Sequence, residues 1–338
     1  MNATSPELEQ QLPPQAVLMQ MTMGFIVSQA VSVAAKLFIA DHLETGAKTV
    51  AELAELTETH APSLYRLMRA LTSVGVFSTD TENRFSNTPI SEVLRSDHPE
   101  SMRGAVHMLC DQEHWRPHGN MLQSVKTGEI AFDYTFGMPV FPYFAENPEA
   151  AKVFDNAMTS FGLGIANAVA ATYDFSDAKI IADIGGGHGS LLSTVLETNP
   201  NAKGILFDQP QVVAGADVSD QIKIVHGDFF SEIPVKADVY LMKFILHDWN
   251  DEQSISILKN LAKSAESGAK LLLVETVIEE DDSVPSMSKV MDLNMLVMTG
   301  GKERTAKEYA ELFEQTGFRL TNVYPTPSPM QIVEAVKV

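Results

Sequence analysis

The sequence predicts an α/β fold in which helices cover both faces of a mostly parallel sheet, preceded by a mainly helical N-terminal half. From residue 179 onward, short apolar runs alternate with helical stretches, the pattern of parallel strands joined by helices. A glycine-rich loop directly follows the first of these runs. The 338 residues exceed what one small core needs and suit two domains of ordinary size.

Five short apolar runs predict the parallel strands: Lys179–Ile184, Lys203–Phe207, Gln221–Val225, Ala237–Met242 and Ala269–Glu275. Two predicted helices, Asn250–Glu266 and Thr305–Thr316, each begin with a capping box and end at a glycine. The last two apolar runs, Phe318–Tyr324 and Gln331–Val336, predict a hairpin at one edge of the sheet.

The N-terminal half has the outline of a winged helix. Thr49 and Glu52 form a capping box for a short helix, and Pro62 opens a second helix that Gly75 ends. A small hairpin follows over residues 76–85, and helices rich in Phe, Met and His follow from residue 101 to residue 173. The first part predicts a winged-helix-like domain. In the second part, the Phe and Met side chains suit either core packing or a helical cap over a ligand cleft.

The formal net charge of −20 argues against nucleic acid as a partner, because binding to phosphates depends on Lys and Arg. A winged helix that binds DNA needs a basic recognition helix, and residues 63–71 offer only Arg66 and Arg69. We therefore interpret this half as a scaffold that packs and dimerises. A cofactor-sensing regulator without catalysis remains an alternative.

The stretch from Gln10 to Ala35 carries no charge and is long enough to resemble a membrane span. Polar residues interrupt it, so we predict a buried helix at the subunit interface of a homodimer and no membrane contact. Glu7 and Glu9, with no positive residue before Lys36, exclude a typical secretory signal. With only one cysteine in the chain, these observations predict a cytoplasmic protein.

The glycine-rich loop predicts a nucleotide-type cofactor at the end of the first strand. It contains glycines at positions 185, 187 and 189, preceded by Asp183. Such glycines let the backbone approach a ligand, and the helix that follows presents free N–H groups. A dinucleotide pattern would place its third glycine at Ser190, so a nicotinamide-dependent oxidoreductase is the weaker alternative.

Acidic residues end the next two strands, where the sheet would bring them to the same edge. Asp208 ends the second strand and is placed to accept both hydroxyls of a ribose. Asp228, followed by Phe229, ends the third and is placed to bind an adenine amine beside an aromatic ring. Each alone would equally suit an acid that caps a helix. Three acids in register with the strands favour a cofactor site.

His247 follows the fourth strand at the same edge and is the candidate general base. A lone loop histidine is usually only a surface or capping residue, and His107, His114, His118 and His188 are alternatives. Glu275 ends the buried fifth strand, an unfavourable position for a carboxylate that has no partner.

Five segments together resemble the class I small-molecule O-methyltransferases: Asp183–Ser190, Leu206–Pro210, His226–Phe230, Lys243–Glu252 and Gly300–Thr305. That family methylates caffeic acid, flavonoids, hydroxyindoles and polyketides. The resemblance implies a Rossmann-like, S-adenosylmethionine-binding catalytic domain over residues 174–338. It also implies a winged-helix-like dimerisation domain over residues 1–100 and a substrate cap over residues 101–173.

The resemblance further implies roles for individual residues. S-adenosylmethionine would lie across Gly185 and Gly187, and Lys243 would contact it from the fourth strand. The general base would be His247, with Glu275 and Glu303 as its carboxylate partners.

By the same resemblance, the aromatic slot of the acceptor pocket is lined by Phe154, Met158, Phe161 and Met298, and the ring substituents lie near Cys110 and Asp111. Plain core packing is an equal alternative for each of these residues. Many relatives carry Asn at the position of Asp111, so an acid there favours an acceptor that donates hydrogen bonds or is cationic. We expect no metal, although Asp292 and Asn294 could contribute to a magnesium site. The sequence leaves open the identity of the acceptor and whether its reacting atom is always oxygen.

Overall fold

The computed structural model describes residues 13–338, so Glu7, Glu9 and the first residues of the uncharged stretch lie outside the described residues. The chain forms two compact units, Met1–Cys110 and Asp111–Val338.

The first unit is mainly helical with a small sheet. Its elements are α1 (Pro14–Lys36), α2 (Ile39–His42), β1 (Lys48–Thr49), α3 (Val50–Leu56), α4 (Ala61–Ser73), β2 (Phe77–Thr79), β3 (Arg84–Asn87), α5 (Pro89–Glu92) and α6 (Arg103–Leu109). The strands are antiparallel in the order β1-β3-β2, and the Thr49–Glu52 capping box opens α3. The winged-helix outline predicted from the sequence is therefore present.

The single chain leaves most of the first helix exposed, so its burial at a subunit interface stays a prediction. Leu18, Met21 and Phe25 of α1 are 65%, 74% and 53% exposed, and only Ser32, Ala34 and Ala35 of this helix are buried. By length and composition alone, α1 is also long and apolar enough to cross a membrane. The first unit of the single chain therefore leaves many apolar side chains of α1 uncovered.

The second unit begins with five helices: α7 (Gln112–Gly119), α8 (Met121–Thr127), α9 (Ala131–Phe136), α10 (Val140–Glu146) and α11 (Pro148–Thr172). An aromatic core that includes Phe132 and Phe144 joins α9 and α10, and Met298 from later in the chain packs into it. The C-terminal part of α11 packs instead against the helix that follows the glycine loop.

A seven-stranded sheet forms the centre of the second unit. Its strands are β4 (Ile180–Ile184), β5 (Lys203–Asp208), β6 (Ile222–His226), β7 (Val239–Lys243), β8 (Lys270–Glu275), β11 (Phe318–Pro325) and β12 (Gln331–Lys337). The order is β11-β12-β8-β7-β4-β5-β6. Strands β4 to β8 of this sheet are parallel, and the β11–β12 hairpin is antiparallel at the edge, as predicted.

Helices cover this sheet on both faces through two large apolar cores. They are α12 (Ser190–Thr198), α13 (Pro210–Val213), α14 (Asp251–Ser264), α15 (Met287–Met298) and α16 (Ala306–Glu314). A small parallel pair, β9 (Val277–Ile278) and β10 (Arg304–Thr305), lies beside them. Because β4, β5, β7 and β8 are parallel neighbours, their carboxyl ends bring the predicted site residues to one edge.

Candidate active site

The glycine loop between β4 and α12 is packed on one side and open on the other. Gly185 and Gly187 have φ angles of 71° and 59°, which residues with side chains rarely adopt. A Cβ on Gly185 would overlap the Ile245 side chain, whereas a Cβ on Gly187 would meet nothing within 4 Å. Gly189 is the N-cap of α12, so the first N–H groups of that helix lie next to the loop. This is a backbone cradle of the kind that holds a nucleotide cofactor.

Asp208 ends β5 directly beside this cradle. Its Oδ2 accepts the backbone N–H of Gly187 at 2.8 Å, and its Oδ1 accepts the N–H of Gln209 at 2.7 Å. Burial raises the pKa of Asp208, and these two N–H groups act in the opposite direction. The carboxylate is thus fixed against the loop, while its contact with a ribose stays a prediction.

Asp183 is buried and Lys243 is half-buried, on the neighbouring strands β4 and β7. Asp183 is 1% exposed, and neither carboxylate oxygen has a close hydrogen-bond partner among the described residues. Burial raises the pKa of Asp183 to about 7, and the charge of Lys243 opposes that rise. Burial also lowers the pKa of Lys243. Unsatisfied buried charge is costly, so polar groups of a ligand would be stabilised here.

The carboxylate of Asp228 forms hydrogen bonds with residues that directly follow it in the chain. Its Oδ1 accepts the N–H of Phe230 at 2.9 Å, and its Oδ2 accepts the hydroxyl of Ser231 at 3.3 Å. The carboxylate therefore caps a turn, and its contact with adenine stays a prediction. Phe229 makes an edge contact with Trp249, with ring centroids 6.1 Å apart, so an aromatic wall does lie beside the acid.

His247 lies in a short 3-10 turn, Leu246–Asp248, that the following segments hold rigidly. The guanidinium of Arg304, fully buried, donates to the carbonyl oxygens of Leu246 at 2.9 Å and Trp249 at 2.8 Å. The backbone of Gly301 passes so close that a Cβ there would overlap the His247 carbonyl oxygen. These contacts place the imidazole at the edge of the sheet.

The carboxylate of Glu275, at the end of β8, supports this turn mainly by accepting backbone N–H groups of the turn. Its Oε1 accepts the N–H groups of Ile245 at 3.1 Å and Leu246 at 2.8 Å. Its Oε2 accepts the hydroxyl of Tyr309 at 3.4 Å and lies 3.9 Å from His247 Nδ1. Glu275 therefore anchors the turn and acts on the imidazole through its charge.

Glu303 is the carboxylate that hydrogen-bonds to the imidazole. Its Oε1 lies 3.0 Å from His247 Nδ1, and its buried Oε2 has no hydrogen-bond partner among the described residues. The N–H of Glu303 donates to Asp292 Oδ1 at 2.9 Å, which fixes the backbone before β10. A carboxylate on Nδ1 leaves Nε2 as the nitrogen that faces other groups.

The surrounding carboxylates make His247 unusually basic. They raise its pKa from 6.5 to about 10, even though burial, the largest single influence, acts in the opposite direction. Besides Glu275 and Glu303, Asp248 contributes, with its Oδ1 3.9 Å from His247 Nε2. Burial in turn raises the pKa of Asp248 to about 6. At neutral pH the resting imidazole is therefore a cation.

The same residues have the spacing of a metal site. Ligand atoms of His247, Glu275 and Glu303 lie within 4.8 Å of one another. Two backbone amides already occupy Glu275 Oε1, and the carboxylate of Asp292 accepts the N–H of Glu303. The absence of a metal from the reaction stays a prediction.

The predicted acceptor-pocket residues are divided between two cores. Phe154 packs in the aromatic core of α9 and α10, 5.0 Å from the Phe144 ring, and Met298 is buried in the same core. Phe161 packs in the core under the sheet, Met158 is half-buried, and Asp111 is the N-cap of α7. The structure thus brings Phe154 and Met298 together. The contact of all five residues with an acceptor stays a prediction.

Three residues around His247 had no predicted role from the sequence: Phe244, Asp248 and Arg304. The available signal for Arg304 and Gly301 is their position in a dense run of glycines and charges before the Thr305 capping box. The side chains of Phe244 and Asp248 lie beside the His247 ring. The sequence does not show this, because it depends on backbone conformation and side-chain direction.

Comparison with known proteins decides the family. Residues 115–319 match the O-methyltransferase domain, and residues 19–97 match the O-methyltransferase dimerisation domain. The phenazine O-methyltransferase PhzM of Lysobacter antibioticus is 43% identical over 331 residues, which cover 96% of each chain. The chain belongs to the O-methyltransferase family.

Two further relatives agree. The mitomycin biosynthesis 6-O-methyltransferase of Streptomyces lavendulae is 36% identical, covering 91% of this chain and 90% of the relative. Human N-acetylserotonin methyltransferase, crystallised with S-adenosylmethionine, is 26% identical, with a TM-score of 0.91 over 97% of this chain and 99% of that one. The enzyme is an S-adenosylmethionine-dependent O-methyltransferase, and its dimerisation domain supports a homodimer.

Proposed function

We propose that the enzyme methylates a hydroxyl of a small phenolic molecule, with His247 as the general base. The hydrogen bond of 3.0 Å between His247 Nδ1 and Glu303 carries this proposal, because it fixes a basic imidazole beside the cofactor cradle. We further propose that the protein works as a cytoplasmic homodimer without nucleic-acid or membrane partners. The exposed apolar side chains of α1 fit the dimer.

The residues at the cradle fit S-adenosylmethionine. The open side of Gly187 and the N-terminus of α12 suit its polar end, Asp208 suits the ribose, and Asp228 with Phe229 suits the adenine. The half-buried Lys243 and the buried Asp183 suit polar groups of the cofactor. When bound, the cofactor supplies a methyl group on a sulfonium, whose leaving group is neutral.

His247 has the basicity that a phenolic acceptor requires. A phenol has a pKa of ~10, so a reference imidazole at ~6.5 would face a proton transfer that costs roughly 4.8 kcal/mol at 1.36 kcal/mol per pKa unit. With the pKa of His247 raised to about 10, that gap nearly closes. Once it is neutral, the imidazole can therefore take the proton as the acceptor oxygen attacks. Glu275 and Glu303 stabilise the imidazolium that forms.

The relatives support an aromatic acceptor. One is named for methylation of a phenazine, another for a step in mitomycin biosynthesis, and the third for N-acetylserotonin. The aromatic core around Phe154 and Met298 suits a flat ring system. By resemblance, Asp111, Met158 and Phe161 complete the pocket.

A methyl-transfer screen with labelled cofactor against a panel of phenols tests the proposal. We expect His247→Ala to bind S-adenosylmethionine nearly as well as wild type and to turn over roughly 10²–10⁴-fold more slowly, the range for a lost acid–base group. His60→Ala, at an exposed histidine of the first unit, is the matched control and should retain activity. Unchanged turnover of a phenol by His247→Ala would mean that the base is a different group.

A further inference from the structure

Phe244 adopts a backbone conformation that bulky residues avoid. It directly follows β7, and its φ angle is 58°. Such left-handed conformations are strained for an aromatic residue, and they persist only where surrounding contacts determine them. Strained residues of this kind cluster at functional sites, which makes the surroundings of Phe244 informative.

Contacts on both sides of Phe244 impose this conformation. Its own N–H donates to the carbonyl of Val274 at 3.2 Å, continuing the pairing of β7 with β8. The next two backbone N–H groups, of Ile245 and Leu246, both donate to Glu275 Oε1. The chain therefore turns sharply at Phe244, and the turn directs the aromatic ring toward His247.

The ring of Phe244 contacts both the predicted base and the predicted cofactor lysine. It stacks on the His247 imidazole with ring centroids 5.4 Å apart and an angle of 15° between the planes. The ammonium of Lys243 lies 4.6 Å from its centroid, within range of a cation–π interaction. The Phe244 ring therefore contacts the side chains of both His247 and Lys243.

We propose that Phe244 is a positioning residue, whose stacked ring fixes the plane of the His247 imidazole with Nδ1 toward Glu303 and Nε2 toward the acceptor. This rests on the proposed role of His247 as base. A single hydrogen bond at Nδ1 leaves the imidazole free to tilt, and a parallel ring removes that freedom. The charged groups that face the imidazole are Glu275, Glu303 and Asp248. Of these three, Glu303 alone lies within hydrogen-bonding distance of a ring nitrogen, whereas Phe244 lies parallel to the plane of the ring.

Two substitutions separate stacking from simple packing. Phe244→Leu keeps an apolar side chain but loses the flat ring, and Phe244→Tyr keeps the ring. We expect kcat/KM for a phenol to fall about 10–100-fold in the leucine variant, since misplacement of a catalytic group by 1 Å can cost 10²-fold. The tyrosine variant should stay near the wild-type value. Equal losses in both variants would overturn the proposal.

An acceptor that is already ionised gives the decisive comparison. A nitro-substituted phenol, assayed above its own pKa, needs no base. The Phe244→Leu defect should therefore largely disappear with that acceptor and persist with the unsubstituted phenol. A defect of the same size on both acceptors would show general damage to the site and would overturn the proposal.

The first unit offers a matched control. Phe38 also has a positive φ, of 52°, and the guanidinium of Arg103 lies 3.8 Å from its ring centroid. Phe38→Leu removes a ring of the same kind from a similar strained position, and it should leave the ratio of activities on the two phenols unchanged. A change in that ratio as large as the one in Phe244→Leu would count against the proposal.

A readout without substrate completes the test. In protein labelled with ¹⁵N-histidine, the proton shared by His247 Nδ1 and Glu303 should give a downfield resonance that is sharp in wild type and weakened in Phe244→Leu. An unchanged resonance in the leucine variant would overturn the proposal. His247→Ala separates the two claims: if it retains full turnover, the proposed base fails. If it loses turnover while Phe244→Leu is fully active, only the role of Phe244 fails.

Discussion

The activity of this enzyme should continue to rise with pH well above the pH range in which an ordinary histidine titrates. The pKa of His247 is raised to about 10, so the imidazolium is the resting form at neutral pH. A general base must be neutral to accept a proton from the acceptor. The resting enzyme must therefore lose one proton from His247 before it can react with a neutral phenol. For that reason kcat/KM must rise with pH.

The magnitude follows from the pKa of the imidazole. With a pKa of about 10, roughly one enzyme molecule in 10³ carries neutral His247 at pH ~7, which corresponds to about 4 kcal/mol at 1.36 kcal/mol per unit. We expect kcat/KM to rise about tenfold per pH unit and to level off near the pKa. An unperturbed imidazole at ~6.5 would give a profile that is flat above neutrality.

Initial rates of methyl transfer, measured at acceptor concentrations below KM across this range, test the reasoning. Glu303→Gln is the companion variant: removal of an opposite charge beside the ring should move the inflection down by about 1–3 units. An inflection at or below about pH 7 in the wild-type enzyme would refute the argument. So would an inflection that Glu303→Gln leaves in place.

Two further predictions concern the geometry of the site. Gly301→Ala should lower kcat/KM by about 10²-fold, because its Cβ would displace the His247 backbone. Gly164→Ala, where an added Cβ meets nothing within 4 Å, is the control, and equal activity of the two variants in the same transfer assay would contradict the close contact. Asp208→Asn should weaken S-adenosylmethionine binding by roughly 1.5–3 kcal/mol, the usual range for a hydrogen bond to a charged group. Calorimetry of the two proteins checks this, and an unchanged Kd would exclude Asp208 as a cofactor ligand.

Local patterns in the sequence determined much of the fold. The capping boxes at Thr49, Asn250 and Thr305 open helices as predicted, because each depends only on residues three positions apart. The alternation of apolar runs and helices likewise predicts the parallel sheet, since the carboxyl ends of parallel strands meet at one edge. For that reason Asp208 lies at the same edge as the glycine loop, where it accepts the N–H of Gly187.

Tertiary structure alone decided how the carboxylates divide their tasks. Glu303, 56 residues from His247 in the chain, hydrogen-bonds to the imidazole, whereas Glu275 holds the backbone of the turn. The left-handed conformation of Phe244 and the close passage of Gly301 depend on how strands and loops pack. The exposure of α1 is equally a property of the folded unit, because composition cannot tell whether an apolar helix is covered by its own chain or by another.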